Sequence, residues 1–183
     1  MIYDLSLRTA GIITGALLLI AGALALLGPD NTRLSLSQFP RSKIAGIVLV
    51  TLAALWSFWL LLTMEMGEFS TFRKPLMIAL PIAYVLVLKF VNEFLAVRAL
   101  GILCLLAAEP LLEAAFLRYE WTRLLVTVFA YLIIVLGLFW VTMPYLLRDQ
   151  IGWITRSIAR WKLFGGFALA YAVAVFVCAF TQY

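Results

Sequence analysis

The chain has 183 residues, of which 66% are hydrophobic and 13% charged, with a formal net charge of +5. Soluble domains are roughly half apolar and a quarter charged, so a water-soluble fold is excluded: a chain this short has no interior that could hide so much hydrocarbon. Histidine is absent, which removes histidine-ligated haem, histidine zinc sites and Ser–His catalysis, and no GxxxxGK loop is present to cradle a nucleotide phosphate.

Read in order, the sequence predicts an all-α polytopic membrane protein, a single membrane domain over 1–183 with six transmembrane helices and one short interfacial amphipathic helix. The uncharged block Ala10–Leu27 contains Ala23-Leu24-Ala25, which resembles a secretory cleavage site. Because the apolar run continues through Leu26-Leu27, a retained helix over about 9–27 is expected. Gly11, Gly15 and Gly22 fall on one face of it, and small residues let membrane helices approach closely. The block Ile44–Met64 predicts a second helix over about 44–64, with Gly46, Ala53 and Ser57 as its small residues.

The third and fourth helices, about 75–91 and 94–117, are short enough to form either two spans or a re-entrant hairpin. Pro75 suits a helix start, where its missing N–H goes unused. The uncharged run Leu76–Leu88 reaches across only if Lys89 snorkels to the interface, and Pro81 predicts a kink. Lys89 and Glu93, spaced i and i+4, are expected to pair at the turn that follows.

The fourth helix carries the sharpest functional candidates. Arg98 and Glu109 are eleven residues apart, three helical turns, so they share a face about 16 Å apart along the axis. Glu113 follows on that face. With Arg98 at one membrane surface, Glu109 lies near mid-bilayer, where an ionised carboxylate costs about 2.5 kcal/mol or more unless paired, neutral or wet. Pro110 offers the competing reading: the helix ends at Glu109, PLLEAAFLRYEW lies along the interface, and both glutamates are wet.

A fifth helix is predicted over about 123–147 and a sixth over about 163–182, where Gly166, Ala170, Ala174 and Cys178 recur every fourth residue. Between them, 149–161 has Ile151, Ile154, Ile158 and Trp161 on one side and Arg156 and Arg160 on the other. That pattern predicts an interfacial helix whose arginines touch lipid headgroups. Cys104 and Cys178 lie inside apolar segments and read as packing residues. A cation three residues before a glycine opens four segments, at Arg8, Lys43, Arg98 and Lys162. Cations gathering at membrane helix ends account for this without an internal repeat.

Of the fourteen cations, nine fall in the loops after helices one, three and five and five on the opposite side. This asymmetry puts the nine in the cytoplasm and both termini outside, most simply across a bacterial inner membrane. The Phe39-Pro40-Arg41 triplet is similar to one in the small membrane subunit of tripartite tricarboxylate transporters, but the Gly-Pro-Gly run that should precede it is missing, so no role is carried over. With so little chemistry available, the sequence predicts a non-enzymatic membrane subunit without metal or cofactor. Its expected partners are the bilayer and copies of itself or other membrane subunits, and not nucleic acid. The alternative is a small ion channel or proton-coupled transporter using Glu109, Glu113 and Arg98.

Overall fold

Serine hydroxyls open two of the long helices. Ser6 accepts from the Thr9 amide at 3.1 Å and Ser42 from the Ala45 amide at 3.2 Å, each satisfying an amide that the helix start leaves unpaired. In the computed structural model, residues 3, 5–28, 30–91 and 93–182 are described, the side chains of residues 30 and 31 excepted. The helices are α1 (Leu7–Leu27), α2 (Asp30–Gln38), α3 (Lys43–Thr63), α4 (Arg73–Phe90), α5 (Leu95–Ala115), α6 (Arg123–Thr142), α7 (Tyr145–Thr155) and α8 (Ile158–Thr181). Short 3-10 turns cover Phe39–Arg41 and Gly67–Phe72, and no strand occurs among the described residues. Six segments are long and apolar enough to cross a membrane: α1, α3, α5, α6, α8, and α4 together with the turn before it.

Several boundaries differ from expectation, each for a local reason. Helix α6 stops at Thr142 instead of 147, because Met143 precedes Pro144 and is held outside helical space at φ −125°, ψ 72°. Pro144 then leads into α7, so the amphipathic helix runs Tyr145–Thr155 instead of 149–161. Extended backbone at Ser157 separates it from α8, which starts at Ile158 instead of 163. Helix α2 was not anticipated: it is short and polar, and no apolar block announces it. The interruption expected at Pro110 does not occur, for α5 continues to Ala115 with Pro110 buried. Pro81 likewise lies inside α4. Membrane helices tolerate such prolines where neighbours re-satisfy the freed backbone.

Packing is organised as two close pairs, α1 with α8 and α5 with α6; α3 joins α5, and α4 leans mainly on α3. In the first pair, a Cβ on Gly22 would lie 2.9 Å from the Gly165 carbonyl oxygen, and one on Gly165 would lie 2.7 Å from Ala25 Cβ. In the second, Gly101 and Gly137 face each other, each imaginary Cβ falling 2.8–2.9 Å from the other's carbonyl oxygen. Only glycine permits these crossings.

The pairs meet at one end and part at the other. At what we term the narrow end, Leu7 and Ala10 of α1 pack with Leu111, Ala114 and Ala115 of α5 and with Val126 and Ala130 of α6. The opposite, wide end is roofed by α2 and α7, which pack on each other. There Val97, Leu147 and Ile151 form a cluster with Leu36, Phe39, Phe94 and Trp140. Because α2, the α4–α5 turn and α7 all gather in that cluster, the nine-cation loops lie together at the wide end.

Candidate functional site

The glutamates lie toward the narrow end, where α5 continues past Pro110. Glu109 is exposed on the surface of α5 and makes no hydrogen bond or ion pair among the described residues. Glu113, one turn on, is half-buried and accepts from the Tyr3 backbone amide at 3.4 Å. Both line an open groove of about 640 Å³ with Leu105, Leu112, Phe116 and, from α6, Ile134.

Tyr3 ties this region to α3. Its phenol oxygen accepts from Trp56 Nε1 at 2.6 Å, and its ring lies 5.5 Å from that of Trp59. Burial pushes the Tyr3 phenol above its usual range; the Trp56 hydrogen bond opposes this, and the negative charges of Glu109 and Glu113 add to the rise. The phenol is therefore neutral at physiological pH, an uncharged group beside two carboxylates. Sequence reasoning missed Tyr3 and Trp56, because nothing in their spacing brings a residue ahead of α1 to the side of α3.

Arg98 lies on the same helix but away from this groove, near the wide end, where its Nε is buried without a partner among the described residues. The two candidate glutamates and Arg98 are thus not gathered into one site. Nor do Lys89 and Glu93 form the expected ion pair. Helix α4 ends at Phe90, so the i, i+4 geometry is lost, and Lys89 Nζ instead sits 5.8 Å from the Phe90 ring centroid.

The small-residue stripes divide. Gly11, Gly15 and Gly22 are buried on α1, with Gly15 against the Phe176 ring and Gly22 against α8. On α8 the buried face is Gly165, Ala168, Ala172, Val175 and Ala179. Gly166, Ala170 and Ala174 lie on the other side of the helix and are exposed, and Gly166 has nothing within 4 Å of its Cβ position. Of the two arginines assigned to headgroups, Arg156 is exposed. Arg160 is half-buried, stacks 4.8 Å from the Trp153 ring centroid and donates to the Trp153 carbonyl at 3.2 Å.

A second concavity lies at the wide end, where the pairs part. It measures about 1080 Å³, with walls from α1, α5, α6 and α8 and a roof from α2 and α7. The hydrogen bond from Trp140 Nε1 to Gln150 Oε1, at 3.1 Å, fastens α6 to that roof. Comparison with protein-family models, with curated proteins and with solved structures returns no match.

Proposed function

We propose that the protein is a non-enzymatic membrane subunit that assembles laterally with copies of itself or with another membrane protein. The observation that carries this reading is Glu109. It sits six residues before the end of α5, about 9 Å in from that end, on a surface that lipid reaches if the chain is alone. An ionised carboxylate at such depth costs about 2.5 kcal/mol or more, and a polar contact across a helix interface removes that cost. Two further features support the reading. Helix α4 has no buried residue, and the exposed Gly166, Ala170 and Ala174 give α8 a second face on which a backbone can approach. In the same reading the cation-rich wide end faces the cytoplasm, most simply across a bacterial inner membrane.

Light scattering in mild detergent tests the proposal. Wild type is expected at a defined multiple of the protomer mass or with a co-purifying partner, and Glu109→Leu is expected to shift it to the protomer. A monodisperse wild-type protomer would count against assembly.

The groove lined by Glu109 and Glu113 favours a second reading, a small proton-coupled transporter or channel. It requires that Glu109→Gln abolish flux in liposomes while the protein still folds; unchanged flux removes it.

A further inference from the structure

The wide-end cavity is walled by Leu24, Leu100, Leu136, Trp140, Trp161 and Phe164. The cavity opens to the surface, with Leu24, Trp153 and Phe164 exposed along it, so a guest reaches it from outside. Its volume of about 1080 Å³ lies at the top of the ~300–1,000 Å³ that small-molecule sites occupy. Its walls are mostly apolar, and apolar atoms without neighbours forfeit dispersion contacts. The glycine crossings at Gly22–Gly165 and Gly101–Gly137 bring each pair to backbone contact, so the gap lies between the pairs and not within them.

The polarity of the cavity is graded. Its depth is hydrocarbon, whereas its roof carries Thr32, Ser35, Asp149, Gln150 and the Trp153 indole. Tryptophan settles at headgroup level in membranes, so the apolar volume runs inward from that level. Around the roof the charge is basic: α2, α7, the α7 cap and the first turns of α8 bear Arg33, Arg148, Arg156, Arg160 and Lys162 against Asp149. Asp149 is already occupied by Arg148 at 2.9 Å. Arg160 stacks on Trp153, which is one of the roof residues.

We propose that this cavity holds the acyl chains of one anionic diacyl phospholipid, with its phosphate held at the Arg160 side of the roof. The lipid fills the space that the two helix pairs leave, and its charge matches the cations gathered above it. The proposal does not depend on the assembly reading, because every residue it uses lies within one chain.

The test is native mass spectrometry on delipidated protein offered phosphatidylglycerol and phosphatidylcholine of equal chain length. One phosphatidylglycerol per chain is expected to survive activation, preferred about fivefold for each basic residue engaged. Ala21→Phe and, separately, Leu24→Phe, both on the cavity wall, are expected to reduce that retention about tenfold, with elution volume and helicity unchanged. Arg160→Gln is expected to remove about fivefold of the preference and leave chain binding in place. Equal retention of the two lipids overturns the proposal, as does full retention in a correctly folded cavity-filled variant. Displacement of lipid by a second copy of the chain at that face would also overturn it.

Discussion

At the narrow end α1, α5 and α6 meet through side chains, with Leu7, Leu111 and Val126 interlocked among alanines. At the wide end α1 meets α8 and α5 meets α6 with glycine-to-carbonyl contacts, and the space between the two pairs is the cavity. The contrast shows that one bundle can be rigid and hollow at once. Backbone contact holds each pair, and side-chain interlock joins the pairs at one end only.

The two ends should therefore respond differently to truncation. Leu111→Ala removes atoms from a closed cluster and is expected to cost about 2–5 kcal/mol, whereas Leu136→Ala enlarges a space that already exists and is expected to cost less than about 1 kcal/mol. Reversible unfolding in mixed micelles measures both, and equal costs would mean that the wide end is as tightly filled as the narrow one. The glycine contacts sharpen the comparison at a smaller scale. Gly101→Ala places a methyl against the Gly137 carbonyl and is expected to cost about 1–3 kcal/mol, while Gly166→Ala, with open space around it, is expected to change stability by less than about 0.5 kcal/mol. A small effect is also expected at α4, which lies outside both pairs and is joined to α3 by a hydrogen bond between Thr51 Oγ1 and Tyr84 Oη at 2.9 Å. Thr51→Val is expected to cost about 0.6 kcal/mol. Its readout is faster deuterium exchange in α4 than in α5; unchanged exchange would show that the apolar contacts of Leu88 and Val91 with Val50 and Leu95 suffice.

The glycine stripe of α1 could be read in the sequence, because its glycines repeat on one face and that face is buried. The stripe read on α8 lies on the face away from α1. Gly165 and Gly166 are adjacent, both head a run of small residues, and composition does not distinguish a face against α1 from a face against lipid. The Gly101–Gly137 crossing joins two helices, each with one conspicuous glycine, and periodicity within either helix says nothing of the other. Pro144 was a legible boundary signal, since the residue before proline is pushed out of helical space, and the long uncharged block around it masked the break. Helix α2 gave no apolar signal at all, its role being to cover α7.

What the sequence determined by itself is where, among the described residues, the segments long and apolar enough to cross a membrane lie. Each crossing needs ~20 apolar residues whose backbone groups are satisfied within the segment, and both conditions are local. Which faces meet, which stay open and where a cavity remains were decided only by tertiary structure. In water an apolar stripe marks the interior, but in hydrocarbon a leucine facing lipid and a leucine facing protein have nearly the same environment, so the sequence carries little record of the difference.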